Sequence, residues 1–278
     1  MANLAIQLIF SDIDGTLLQS DHQISRRTAG SVHACSQRGI PFILVSARMP
    51  GGILPLQKVL NISDPVVCYG GALILSGEEA NGSRRILFQR PLRRDAVESL
   101  RHLLQSIFPD ICLTLYSFNR WIVSDPSDSW VIQEQQIAGT PFETYSSILE
   151  NKLPPIHKIL CMGEPEQITR LQELLAEKQL LANSYKSKPT YLEITDISVN
   201  KSSAVAFICH YLGVAREQTI AFGDNYNDID MLQAVGTGIA MANAPIQVQK
   251  AADQTTMSND QDGISHALET LGICPSSL

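Results

Sequence analysis

No apolar run in this chain approaches the roughly 18 residues that a membrane-spanning helix needs. Positive charge is also scarce. There are 21 Lys and Arg against 28 Asp and Glu, a net charge of -7. That balance argues against nucleic acid or an anionic membrane as partner. An acidic protein that handles anions must concentrate its positive charge in a few side chains, backbone amides or a bound metal. None of the six cysteines forms a CxxC pair, and most lie inside apolar runs. Thiol-based metal and redox sites are thereby set aside in favour of buried free thiols, and a reducing cytoplasm is expected. The six histidines include no HxxxH pair and read as structural or exposed. There is no internal repeat and no low-complexity tract.

What is present is ordinary globular composition, 44% hydrophobic and 18% charged over 278 residues, enough for one large domain or two smaller ones. Met1 to Phe10 is apolar but lacks a basic start and meets Ser11-Asp12-Ile13-Asp14 at once, so it reads as a first strand rather than a signal peptide. Leu4 to Ser11, Ile40 to Ser46 and Val66 to Tyr69 are near-continuous apolar strands. Ser25 and Gly39 mark the ends of a helix between the first two. This alternation predicts a doubly wound parallel sheet, an α/β core of Rossmann-like type. Near residue 84 the pattern changes. Strands are expected at 85–89, 111–117, 120–124, 156–162, 181–186 and 190–195, and helices at 93–107, 127–138 and 165–179. From Lys201 the first pattern returns, with a helix to Leu212, a strand over Thr219 to Phe222, a helix over Asn227 to Ala234, a strand over Gly238 to Met241 and a last helix from Gly263 to Leu271. The chain therefore reads as a core, residues 1–84 and 191–278, split by an inserted α/β domain, residues 85–190.

Asp12-x-Asp14-Gly15-Thr16 directly follows the first strand. In an open parallel sheet, ligands bind beyond the C-terminal ends of the strands. Two carboxylates this close repel unless a cation or a proton lies between them, and Gly15 permits the tight turn that folds Asp14 back. An EF-hand is excluded because no glutamate stands at the twelfth loop position. A second acidic cluster, Gly223-Asp224-Asn225-Tyr226-Asn227-Asp228, follows another buried strand. Either cluster alone could be a capped turn. Together they point to a site where Asp12, Asp224 and a main-chain oxygen at Asp14 supply oxygen ligands to magnesium. Ser46 closes the second strand, and Lys201 starts a helix, a place where a lysine is electrostatically misplaced unless an anion is bound there.

In order, DIDGTLL, the Ser46 position, Lys201 and GDNYND resemble the four motifs of the haloacid dehalogenase-like (HAD) superfamily. The insertion between the Ser and Lys motifs, with the tail GIAMANA…AAD…SNDQDGI, resembles its Cof-type sugar-phosphatase branch. That resemblance implies a magnesium-dependent phosphatase acting on small phosphomonoesters. Asp12 would attack phosphorus and form an aspartyl phosphate. Asp14 would protonate the leaving group and later activate water. Magnesium would be held by Asp12, the Asp14 carbonyl and Asp224, with Asp228 just outside the direct ligands. Ser46, Lys201 and Asn227, with amides near Ile13 and Ala47, would hold the phosphate. The sequence departs from the branch at Ser46-Ala47-Arg48, Gly70-Gly71-Ala72 and Met241-Ala242-Asn243-Ala244, where Thr-Gly-Arg, Asn-Gly-Ala and Met-Gly-Asn-Ala are common.

A mutase with the same motifs is the main alternative. A phospho-acceptor signalling domain fits poorly, because it would be about half this length and phosphorylated on a later strand. Three weaker signals lie elsewhere. Arg84, Arg85, Arg90, Arg93 and Arg94 read as a solvated face, Trp121 and Trp130 as core, and Glu193 as a residue on the strand returning to the core, not counted among the site residues.

Overall fold

The computed structural model describes residues 5–144, 153–178 and 182–274. Leu4, the expected helix end at 179 and the expected strand start at 181 lie outside them. The elements run in the order β1 (Leu8–Ser11), α1 (Arg26–Gln37), β2 (Phe42–Val45), α2 (Pro50–Leu60), β3 (Val66–Cys68), β4 (Leu73–Leu75), β5 (Ile86–Gln89), α3 (Arg94–Ile107), β6 (Cys112–Ser117), β7 (Arg120–Val123), α4 (Ser129–Ala138), β8 (Phe142–Thr144), β9 (Lys158–Met162), α5 (Pro165–Glu177), β10 (Ala182–Lys188), β11 (Tyr191–Asp196), α6 (Lys201–Leu212), β12 (Thr219–Gly223), α7 (Ile229–Ala234), β13 (Thr237–Ala240), α8 (Ile246–Ala251), β14 (Gln254–Thr255) and α9 (Gly263–Thr270).

Eight strands form one sheet in the order β14-β13-β12-β1-β2-β3-β4-β5. From β14 to β3 every pair is parallel, and β4 turns back antiparallel to β3. The strands at its centre are fully buried, as their unbroken apolar runs require. From the β1/β12 pair the chain winds outward both ways, through α1 to β2 and through α7 to β13. Right-handed crossovers in opposite directions put these two helices on opposite faces. α9 packs against α1, and α6 packs against α7. The β1/β12 boundary is thus the switch point of the sheet, where an open α/β fold leaves a crevice.

A second sheet has the order β10-β11-β9-β6-β7-β8, antiparallel except for β7 with β8. Val97, Leu100 and Leu104 of α3 and Ile168, Leu171 and Leu175 of α5 form its core with Leu115, Ile122, Ile159, Cys161, Leu192 and Ile194. Trp121 is buried between Tyr116 and Phe142, while Trp130 is only half-buried.

The chain divides into two compact units, one of Phe88–Val199 with Arg48–Gly52 and one of the remainder. The boundary expected at 190/191 falls inside a hairpin. β11 pairs with both β10 and β9, so its ladder keeps residues 191–196 in the inserted unit. The expected arginine face also differs. The Arg84 side chain is only 7% exposed and donates to the carbonyls of Asp64 and Ser76 and to Gln57 Oε1. Arg85, Arg93 and Arg94 pair locally with Glu79, Asp95 and Glu98. All six cysteines are free, and five are buried. Among the described residues no helix is long and apolar enough to cross a membrane.

Candidate active site

Register places two carboxylates side by side. β1 lies parallel to β12 with Ser11 opposite Phe222, and Asp12 follows the first strand as Asp224 follows the second. The Asp12 amide donates to the Phe222 carbonyl at 3.0 Å, extending the ladder by one residue. The turn after β1 then closes on Asp224. Thr16 Oγ1 donates to Asp224 Oδ1 at 2.8 Å. Gly15 has φ 78°, and a Cβ there would lie 2.4 Å from Asp224 Oδ2. Only glycine satisfies both the left-handed backbone and that approach.

Asp228 completes the group. It sits in the turn after β12 and is fully buried. Its Oδ2 accepts from the amides of Asp224 and Asn225 at 3.1 and 2.9 Å. Its Oδ1 accepts from Lys201 Nζ at 2.5 Å, and the same ammonium donates to Asp12 Oδ1 at 2.6 Å. Lys201 is the first residue of α6, whose N-cap Asn200 accepts from the Ser203 amide. The loop after β3 fits closely against that cap. A Cβ on Gly71, at φ 116°, would come 2.8 Å from the Asn200 carbonyl.

One ammonium against three carboxylates leaves this pocket of charge unbalanced. Burial pushes the Asp12 carboxyl well above the usual range; Lys201 opposes the shift, and Asp228 and Asp224 add to it. Burial likewise pushes Asp224 up to about 6, against the Thr16 hydrogen bond and with the help of Asp228. For Lys201, burial alone would lower the ammonium; Asp12 and Asp228 together outweigh it and raise it. A hard divalent cation is the natural complement of such a set. Oxygens of Asp12, Asp224 and Asp228 lie within 4.8 Å of one another. The hydrogen bonds sort them further. Both Asp228 oxygens are engaged, whereas Asp12 Oδ2 and Asp224 Oδ2 accept no hydrogen bond among the described residues. The donor set therefore fits magnesium, an oxygen-seeking ion that keeps several waters.

The remaining expected residues occupy neighbouring strand ends. Ser46 is buried at the end of β2, on the other side of β1. Its amide donates to the Val67 carbonyl at 3.0 Å, and its own carbonyl accepts from the Gly70 amide at 2.9 Å. Ala47 follows it, half-buried. Ile13 is buried, and Asp14 is exposed in the turn after β1. Asn227 is half-buried in the turn that carries Asp228. Glu193 lies in the inserted unit and pairs with Lys158 at 3.0 Å. Sequence reasoning missed Thr16, Asn243 and Asn259. Asn243 Nδ2 donates to the Gly15 carbonyl at 2.9 Å, and Asn259 Nδ2 donates to the Leu18 carbonyl at 2.9 Å. The tail motif contained both asparagines, but nothing local tied them to a loop so distant in sequence.

This arrangement has known counterparts. A family model described as haloacid dehalogenase-like hydrolase matches residues 9–268. A Haemophilus influenzae protein named "Putative phosphatase" is 36% identical, over 94% of this chain and 96% of its own. The 5-amino-6-(5-phospho-D-ribitylamino)uracil phosphatase YitU of Bacillus subtilis is 25% identical, over 94% and 96%. The crystal structure of a haloacid dehalogenase-like hydrolase from Bacteroides thetaiotaomicron superposes with a TM-score of 0.85 at 28% identity, covering 96% of this chain and 99% of that one. Both the family match and the sequence likeness run through the inserted unit as well as the core, and so this chain belongs to the haloacid dehalogenase-like hydrolase family, in its Cof-type branch, and is a phosphatase.

Proposed function

We propose that this phosphatase hydrolyses small phosphomonoesters, such as sugar phosphates or phosphorylated cofactors, through an aspartyl phosphate on Asp12. The observation that carries this reading is the state of Asp12. It directly follows a central strand at the switch point, its Oδ1 is fixed by Lys201, and its Oδ2 accepts no hydrogen bond among the described residues. A carboxylate so placed can attack phosphorus and split one hard step into two. Asp14, next along the turn, protonates the leaving oxygen and then activates the hydrolytic water. Lys201, Ser46 and Asn227, with the amides of Ile13 and Ala47, bind and orient the phosphoryl group. Magnesium is the proposed cofactor, with Asp12, Asp224 and the Asp14 carbonyl to hold it and Asp228 to fix Lys201 and the turn behind it. When bound, the ion offsets the negative charge that gathers on the transferring phosphoryl group.

The inserted unit is proposed to set which ester is accepted. Phosphoryl binding at strand ends recognises what all these esters share. The insertion enters the chain between the Ser46 and Lys201 segments. Free buried thiols and net negative charge support a cytoplasmic enzyme with a small metabolite as partner rather than nucleic acid.

The decisive test is Asp12→Asn with a panel of phosphorylated metabolites and an acid quench. The native enzyme should show a phosphorylated species by intact mass, and Asp12→Asn should show neither that species nor turnover above a thousandth of the parent. Turnover within tenfold of the parent would remove Asp12 from its role. Assaying isomerised products in the same reactions separates hydrolysis from the mutase alternative.

A further inference from the structure

The segment from Asn243 to Asp262 has no part in the chemistry just described, yet it grips the turn that carries Asp14. Asn243 Nδ2 donates to the Gly15 carbonyl at 2.9 Å. Its Oδ1 accepts from the Asn259 amide at 3.1 Å, which fixes the amide so that its donor end faces Gly15. Asn259 is buried and holds the Leu18 carbonyl at 2.9 Å. Beyond it, the Ser20 amide and hydroxyl both donate to Asp260 at 2.7 Å, and the Ser25 hydroxyl donates to Asp262. Asn243 takes the contact nearest the site. It pins the peptide between Gly15 and Thr16, so Asp14 lies on one side of the pinned peptide. On the other side lies Thr16, the residue that hydrogen-bonds Asp224. Thr16 keeps its own anchor in that bond, so rotation of the peptide would fall on Asp14.

From this geometry we infer that Asn243 is a positioning residue for the phosphatase reaction: by fixing the Gly15 carbonyl it keeps the Asp14 carboxyl aimed at the leaving-group oxygen. The inference rests on the reading of Asp14 as the group that protonates the leaving oxygen. A residue that merely braced the loop would affect all substrates alike. A residue that aims a proton donor matters most where the leaving group needs the proton.

The experiment compares Asn243→Ala, Asn243→Asp, Asp14→Asn and the double variant Asp14→Asn/Asn243→Ala on two substrates. Glycerol phosphate has a leaving alcohol that requires a proton, and nitrophenyl phosphate has one that does not. Asn243→Ala should lower kcat on glycerol phosphate about fivefold more than on nitrophenyl phosphate, the scale of one ordinary hydrogen bond. Asn243→Asp keeps the acceptor for Asn259 but loses the donor for Gly15, and it should share that selectivity. In the Asp14→Asn background the Asn243→Ala change should cost less than twofold. Equal losses on both esters, or the full loss in the double variant, would overturn the inference. If Asp14→Asn itself slows both esters equally, the acid reading of Asp14 fails. The double variant still decides whether Asn243 acts through Asp14.

Discussion

Asp228 gives Lys201 one carboxylate oxygen and commits the other to the backbone amides of Asp224 and Asn225. Its oxygens are taken, so it acts as a bracket between the lysine and the turn after β12. In the proposed function the ligand positions for a cation then fall to Asp12 and Asp224.

The enzyme should therefore lose activity when stripped with chelator and regain it with magnesium. Calcium should restore less than a tenth, since it favours longer bonds and more ligands than this compact set offers. Activity against metal concentration is the measurement, and full activity after exhaustive chelation would contradict the ligand assignment.

Gly15→Ala tests the approach of the turn to Asp224. The new methyl would meet Asp224 Oδ2 at 2.4 Å on a backbone with φ 78°. We expect a stability loss of about 1 kcal/mol or more from the backbone alone. The magnesium concentration for half-maximal activity should rise at least tenfold. An unchanged magnesium requirement would show that Asp224 does not depend on this turn.

Replacing the inserted unit with a short linker should flatten the substrate profile. Where circular dichroism shows the core still folded, kcat/KM on nitrophenyl phosphate should persist better than on the preferred metabolite. An unchanged ratio of the two would place specificity in the core.

His157 provides a pH signature within the inserted unit. Its Nδ1 accepts from the Phe118 amide at 3.2 Å, and its Nε2 faces Gln89 Oε1 at 3.3 Å. Burial lowers it to about 4 from an ordinary value of 6.5. The unfolded chain thus binds a proton below about pH 6.5 that the folded chain refuses until about pH 4. Stability falls across that window as pH drops and is intact above it. In denaturant titrations, the native protein should lose on the order of 2 kcal/mol more than His157→Gln between pH 7 and pH 4. Parallel curves for the two would mean the imidazole is protonated in the folded state.

The sheet core was legible because its strands are buried on both faces and read as unbroken apolar runs. Asp12 and Asp224 were legible for a related reason, since each directly follows such a run. Lys201 stood out because a cation at a helix start opposes the helix dipole, and the structure supplies Asp12 and Asp228 as the reason it is there. Short pieces were harder. β4, β8 and β14 have two or three residues each, too few for a period to show. Arg84 was misread because charge clusters usually face water, whereas its partners include two backbone carbonyls and the Gln57 side chain, which leave no local signature in sequence. Asn243 and Asn259 were missed for the same reason, since their acceptors are main-chain oxygens in the Asp14 turn and after it.

The pairing of β1 with β12 also governs the order in which the molecule can be made. Leu8 stands opposite Thr219, so β1 leaves the ribosome long before β12 and waits for a neighbour that lies beyond the whole inserted unit in sequence. The segment from Phe88 to Val199 is complete, with its own sheet and apolar core, before that neighbour exists. During this interval β1 has only β2 to cover one edge, and its other edge is open to pairing with other chains. Newly made protein should thus pass through a stage with a finished middle and an unfinished frame. The cluster of Asp12, Lys201, Asp224 and Asp228 comes into being only when the segment after Val199 arrives.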